Sequence, residues 1–387
     1  FRKLRSRRKT TMKGERSVAV LRKEFPVTTR YIYLDHAGIA PLPRRVTDAV
    51  EDFLADSSRS GAFSLDRWAS RVTAVREMCA RLIHADPHEV AFVRNTSHGL
   101  SLIAQGLDWK HGDNLLVYEK EFPANIYPWL ALREKGVEIR FIPSRNGTIH
   151  PDDIAKLISE RTRLVTLSSV QFSNGFRIDL DTVGDLCASK GVFLCIDAIQ
   201  SLGVIPMDVK KHHIDFLSAD GHKWLLAPEG TGIFYCNRDL VDRIYPPLLG
   251  WKSVEQEFDF DQIDLRLKTS ALRFEEGSLN TMGIVALGAA LDLLFEVGIE
   301  TIEEAVLGLG DLIISLAKKR GFILRSPKDH ASRGGIVSFR GDFDPRAVCT
   351  RLRSQGVMVN VRDNALRISP HFYNREDEVV RLFDLLP

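Results

Sequence analysis

GVFLCIDAIQSLGVIPMDVKKHHIDFLSADGHKW, residues 191–224, decides how the rest of the chain reads. Its apolar run from Val192 to Ile196 stops abruptly at Asp197. A buried strand does not finish on an unpaired acid, because desolvating the charge costs several kcal/mol unless something compensates it. A cationic ring nitrogen would. A second apolar run, Asp215 to Ser218, is followed by a bend through Ala219 and Gly221 that delivers Lys223 between His222 and Trp224. An amine held in a pocket rather than in water is what Schiff-base chemistry with an aldehyde requires. Pyridoxal 5'-phosphate offers both targets, an aldehyde for Lys223 and a pyridinium for Asp197.

Outward from this stretch the pattern is that of an α/β protein. Strand signals fall at Val90–Val93, Leu115–Tyr118, Val137–Ile142, Leu164–Ser168, Val192–Ile196, Asp215–Ser218 and Gly232–Tyr235. Helical patterns separate most of them, which predicts a seven-stranded, mostly parallel sheet. Before the sheet, Tyr31–Leu34 is a short β-type run, and residues 43–58 and 65–84 have helical apolar spacing. From about Thr281 the pattern changes. Two long helical stretches, Met282–Val297 and Thr301–Lys319, precede strands at Phe322–Ser326 and Gly335–Phe339, a helix at Pro345–Gln355, and strands at Val357–Val361 and Ala365–Ser369. The expected division is a large domain over 24–280, whose first residues pack on the other unit, and a smaller α+β C-terminal domain over 281–387.

The 387-residue chain has a net charge of +2, but residues 1–23 hold ten Lys or Arg against Glu15 alone. The remaining 364 residues carry 43 basic against 50 acidic side chains. A body of that sign gives no reason to expect nucleic acid as a partner. The leader could be a transit peptide or a phosphate-binding arm. Phe1 cannot initiate translation and Met12 can, so the preferred reading is disordered or non-native sequence. Five scattered cysteines, Cys79, Cys187, Cys195, Cys236 and Cys349, have no CxxC spacing and read as reduced core thiols of a cytoplasmic protein. The eleven histidines form no HxxxH or HExxH pattern, so no metal is expected. The longest apolar stretch, Gly283–Ile299, is interrupted by Asp292 and Glu296, and no membrane association is expected.

At Asn95-Thr96-Ser97-His98-Gly99 a strand gives way to a helix, so hydroxyls and free N–H groups converge with the helix dipole behind them, as in an anion site. The plain alternative is a cap, with Thr96 or Ser97 as the N-cap and nothing bound.

Eight strings in order, YLDHAGIAPLP, RNTSHGL, EFPANIYPW, SNGFRIDL, CIDAIQSLG, SADGHKWLLAPEGTGIFY, LRFEEGSLNT and LRISPHFYN, resemble the aminotransferase class V superfamily over about residues 30–375. That group includes cysteine desulfurases, selenocysteine lyases and isopenicillin-epimerase-like enzymes. The resemblance implies the fold type I architecture of pyridoxal 5'-phosphate enzymes. It implies that Thr96 and Ser97 hold the cofactor phosphate, with His222 beside Lys223 at the phosphate or the lysine. Phe122 stands where relatives stack an aromatic ring on the pyridine; many desulfurases have His there, and Phe stacks without donating a proton. Ala198 is small enough for the ring's other face, and Gln200 suits its 3'-oxygen as a donor. Asn174 and Arg367 match the carboxylate-binding positions, for which the planar guanidinium is suited. Ser278 matches the position that reaches the phosphate in the neighbouring subunit, which implies a homodimer. Asp220 departs from the desulfurases, which commonly have a phosphate-binding Ser there.

The expected activity is therefore chemistry at the α-carbon of an amino acid through a Schiff base on Lys223, as transamination or as β-elimination by a C–S lyase. Epimerisation and desulfurase or selenocysteine lyase chemistry are alternatives. The persulfide route is disfavoured, because segment 356–366, GVMVNVRDNAL, has no cysteine before Arg367 and Cys349 falls in a helical pattern. A nucleotide-binding α/β protein is disfavoured too: there is no GxxxxGK[ST], and LGLGDLI at Gly308 and Gly310 lacks a third glycine and follows no strand. A carrier that kept the fold without catalysis would be expected to lose Lys223 or Arg367.

Overall fold

A computed structural model describes residues 18–387; the first seventeen residues of the basic leader lie outside the described residues. After β1 (Ile32–Tyr33), seven strands form the central sheet: β2 (Val90–Val93), β3 (Asn114–Tyr118), β4 (Glu138–Ile142), β5 (Thr162–Ser168), β6 (Phe193–Asp197), β7 (Phe216–Asp220) and β8 (Gly232–Cys236). Their order is β2-β8-β7-β6-β5-β3-β4. Every pairing is parallel except the two made by β8. The strands at the middle of the sheet are buried along nearly their whole length, while the edge strand β4 exposes Glu138 and Phe141. Successive side chains point to opposite faces. Leu194 and Ile196 thus join one apolar core with Leu217 and Ile233, whereas Cys195 joins the other with Phe216 and Phe234.

Helix Thr281–Val297, which the change of pattern assigns to the C-terminal unit, buries Ile284, Leu287, Leu291 and Leu294 in the first of these cores. The core of the smaller unit starts within helix Ile299–Lys319, at Leu309, and includes Val337, Leu366, Ile368 and Phe383. Its sheet comprises β9 (Ile323–Leu324), β10 (Val337–Arg340), β12 (Asn360–Arg362) and β13 (Ala365–Ile368), with β11 (Val357–Met358) preceding β12. The strand expected over Val357–Val361 is split. β11 pairs in parallel with β1, while β12 turns back on β13. One chain segment cannot satisfy two partners lying in different directions, so the ladder breaks at the buried Val359. The β1–β11 pairing ties residues 32–33 to the smaller unit, and Leu34 lies in its core.

At the carboxyl edge of the parallel strands the ends of β5, β6 and β7 present Ser168, Asp197 and Asp220 side by side. Open α/β sheets bind ligands in this crevice. Helix Thr96–Gly106 reaches it because Gly99 lets the helix lie against β7: a Cβ there would stand 2.3 Å from Ser218 Oγ and 2.8 Å from Ser218 Cβ. Gly99→Ala therefore forces the helix off the sheet. The expected cost is about 1–3 kcal/mol, read as a lowered midpoint in chemical denaturation; an unchanged midpoint would refute the close approach.

Candidate active site

Lys223 follows β7 in a loop wound tightly enough to place Leu226 at φ +60°, a conformation bulky side chains avoid. Leu226 N–H donates to Lys223 O at 3.0 Å and Ala227 N–H to Gly221 O at 3.0 Å. Trp224, fully buried, donates its indole N–H to Gln200 Oε1 at 2.8 Å and anchors the turn. Lys223 faces a cavity of about 320 Å³ that it shares with Thr96, Ser97, Phe122, Asp197, Gln200, Asp220, His222, Arg362 and Arg367. The sequence brings these residues from six separate stretches.

Burial pushes the Lys223 ammonium down to about 8, helped by the Arg367 and Arg362 charges and opposed by Asp197 and Asp220. The amine is thus partly neutral near physiological pH, as a nucleophile and base must be. Burial likewise pushes Asp197 up to about 6, restrained by the Ile199 N–H at 3.0 Å and by the Lys223 charge. A ring cation would restore the carboxylate. Glu121, which sequence reasoning passed over, is a second buried acid beside Asp197; burial raises it to about 7. It accepts from Ser168 N–H at 2.7 Å and Gln171 Nε2 at 2.9 Å, and so fixes the end of β5. Its only sequence signal was its place directly before Phe122.

The N-cap of helix Thr96–Gly106 is Asn95, whose side chain accepts from His98 N–H at 2.9 Å; the cap is not Thr96 or Ser97. The reason is geometric, since the residue left in extended backbone before the helix takes the cap. This leaves the Ser97 hydroxyl to the cavity, while Thr96 Oγ1 accepts from Asp220 N–H at 3.0 Å and keeps its own proton to donate. His222 Nδ1 sits 2.9 Å from Asp220 Oδ2. The two groups are close but not aligned as a hydrogen bond, and the Asp in place of the desulfurases' Ser accepts from Gly221 N–H at 2.7 Å. The Phe122 ring is 5.6 Å from Lys223 Nζ and meets Phe172 edge-on at 5.2 Å. Gln200 also donates Nε2 to Ala37 O at 3.0 Å, which leaves one amide hydrogen for the cavity.

Arg367 is 1% exposed. It donates from one terminal nitrogen to Asp35 Oδ1 and from the other to Phe172 O, each at 3.0 Å, and its Nε is buried with no partner. The guanidinium itself lines the cavity, where a carboxylate is the acceptor that suits it. Asp35, absent from the sequence-based site, is the counter-charge that makes burying Arg367 affordable. Two expected residues lie elsewhere. Asn174 lines a neighbouring cleft with Tyr118 and Lys120, and its amide is spent on Gly147 O at 2.8 Å and Phe176 N–H at 3.0 Å. Ser278 is exposed and outside the cavity.

A lysine near its neutral form, an acid at a strand end, hydroxyls at a helix N-terminus and an aromatic wall fit pyridoxal 5'-phosphate at its aldehyde, ring nitrogen, phosphate and ring face. The fold is that of fold type I pyridoxal 5'-phosphate enzymes. Residues 32–382 match the model of the aminotransferase class-V family, and the chain belongs to that family. A probable cysteine desulfurase of Methanothermobacter thermautotrophicus is 30% identical over 390 residues, covering 95% of this chain and 96% of that protein. A cysteine desulfurase of Cronobacter sakazakii is 31% identical over 397 residues, with coverage of 95% and 96%. Among solved structures, apo cysteine desulfurase from Thermococcus onnurineus superposes with a TM-score of 0.89 at 25% identity, over 97% of this chain and 98% of that one.

Removing the amine and removing the acid should separate. Lys223→Ala is expected to abolish visible absorbance and turnover while the phosphate contacts retain weak cofactor binding. Asp197→Asn should retain cofactor but lose about one to two decades in rate, the value of one charge-assisted contact of roughly 1.5–3 kcal/mol. Near wild-type turnover in Asp197→Asn would make the acid structural.

Proposed function

We propose that this protein is a pyridoxal 5'-phosphate-dependent C–S lyase, which removes a sulfur leaving group from the β-carbon of an amino acid without a protein thiol. The observation that carries this reading is the position of the cysteines. Four of the five are buried, and none lines the Lys223 cavity. Cys349 lies in helix Pro345–Ser354, its thiol donates to Val359 O at 3.2 Å, and burial raises its pKa, so it is a poor nucleophile. Relatives named as cysteine desulfurases support a sulfur-containing amino acid as substrate.

When bound, the cofactor supplies an aldehyde for the lysine and an electron sink for charge developing at Cα. Arg367, held in place by Asp35, binds the substrate carboxylate through its guanidinium. Lys223 Nζ, once free, takes the Cα proton, and its lowered pKa makes it competent at neutral pH. Asp197 holds the proton on the ring nitrogen. Thr96 and Ser97 bind the phosphate, and Phe122 covers the ring. Asn174 serves the carboxylate only indirectly in this reading, by fixing the loop that carries Phe172.

We further propose a homodimer. Leu249, Trp251, Phe258, Phe260, Ile263 and Leu265 are exposed in the stretch preceding Ser278, a patch too apolar for an isolated subunit. The five free thiols support a reducing compartment such as the cytoplasm.

With L-cysteine and other sulfur amino acids, the holoenzyme should release sulfide or thiol together with pyruvate and ammonia, and Cys349→Ala should do so at the wild-type rate. A protein persulfide trapped on wild type and lost in Cys349→Ala would overturn the lyase reading. In analytical ultracentrifugation the holoenzyme should run as a dimer, and a cofactor-loaded monomer would refute the proposed role of Ser278. The lowered pKa of the free Lys223 amine predicts a rate that rises with pH toward about 8, as the amine that takes the Cα proton becomes neutral.

A further inference from the structure

The β12–β13 hairpin carries two arginines into the cavity, and the lyase reading needs one. In register, Asn360 opposes Arg367 and Arg362 opposes Ala365. Directly opposed residues share a face and alternate residues along a strand share it too. Asn360, Arg362, Ala365 and Arg367 therefore occupy one face, while Leu366 and Ile368 fill the smaller unit's core on the other. The two-residue turn has Asp363 at φ +49° and Asn364 at φ +55°, as a tight primed hairpin turn requires, so the register is fixed locally.

A hydrogen-bonded chain then spaces the two guanidinium groups. Arg362 donates from one terminal nitrogen to Asn360 Oδ1 at 2.9 Å and to Val361 O at 2.8 Å. Asn360 Nδ2 donates to Asp35 Oδ2 at 2.7 Å, and Asp35 Oδ1 takes Arg367 at 3.0 Å. Both Asp35 oxygens are occupied, and Asp35 ion-pairs Arg367 alone. Among the described residues, Arg362 has no acidic partner, and its other guanidinium nitrogens make no hydrogen bond. The other acids lining the cavity are engaged or solvated: Asp197 beside Lys223, Asp220 against His222, and Glu229 exposed to water.

We propose that Arg362 is a specificity residue that binds an anionic group at the far end of the substrate side chain, so that the preferred substrates are amino acids with a second acidic terminus, such as S-conjugates ending in a carboxylate. This rests on the lyase reading and names its substrate class. Arg362 and Arg367 are diagonal neighbours across the hairpin, for which the spacing is about 7–8 Å. Both side chains line the one cavity, so a substrate with its α-carboxylate on Arg367 and a second carboxylate a few atoms beyond the sulfur can reach Arg362.

The test compares S-carboxymethyl-L-cysteine with S-ethyl-L-cysteine, similar in size and different in terminal charge, on wild-type, Arg362→Ala and Arg362→Glu holoenzyme. Dissociation constants are read from the change in the visible spectrum of the bound cofactor, and turnover from pyruvate release. Wild type should bind the carboxymethyl compound about 10- to 100-fold more tightly, the range of one charge-assisted contact. Arg362→Ala should erase that preference while binding S-ethyl-L-cysteine within about threefold of wild type, and Arg362→Glu should reverse it. Equal binding of both compounds by wild type, with pyruvate formed, would overturn the role of Arg362 and leave the lyase reading standing. So would an equal loss for both in Arg362→Ala. Spectral changes without pyruvate from either compound would overturn the lyase reading, while the ratio of dissociation constants still decides the role of Arg362.

Discussion

Opposite charges held out of water at the end of a parallel sheet are the constraint on which this molecule is built. Asp197 and Lys223 are each pushed toward neutrality by burial, the acid to about 6 and the amine to about 8, and each restrains the shift of the other. Neither could be buried alone without a penalty of several kcal/mol. Together they remain inside and reactive. Because β6 and β7 are adjacent and parallel, Asp197 and the loop after Asp220 emerge on the same edge, and the sheet itself brings acid and amine together.

A second buried pair organises the substrate side. Arg367 comes from β13 of the smaller unit and Asp35 from the segment just after β1, which pairs with β11 of the same unit. On the proposed reading the residue that contacts substrate is thus carried by one unit, and most of the residues that contact cofactor lie at the sheet edge of the other. A small displacement of one against the other would change the distance between carboxylate and base, which makes the precision of the Arg367–Asp35–Asn360 chain matter for rate as well as binding.

The departures from the desulfurase pattern have a common direction. Phe122 gives an aromatic wall with no proton, Asp220 stands beside His222 where relatives commonly have a phosphate-binding hydroxyl, and the segment before Arg367 contributes a two-residue turn and a guanidinium. A stiff hairpin is unsuited to carrying a mobile nucleophile. On the proposed reading it holds two cationic groups on one face of the hairpin, which suits recognition of a charged substrate.

The seven strands of the sheet and the class of enzyme were legible in the sequence, as were Asp197 at a strand end and Lys223 in the turn after the next strand; that the two charges restrain each other was not. Unbroken apolar strands, glycine-punctuated turns and a carboxylate at a strand end are local signals with a local physical cause. Thr96, Ser97, Phe122, Gln200 and His222 fall in motifs near ends of the central sheet's strands, and the sheet brings those ends to one cavity, which Arg367 enters from β13 of the smaller unit. What the sequence could not reveal were relations between distant segments. Asp35 and Arg367, 332 positions apart, meet because the segment after β1 pairs in parallel with Ser369 at the end of β13. The split at Val359 follows from two partners in different directions, the commitment of Asn174 to Gly147 from loop packing, and the alignment of Arg362 with Arg367 from strand register. Chain periodicity reports the face on which a residue lies; which side chain meets that face is fixed only when the chain closes on itself and each buried charge has to find its partner.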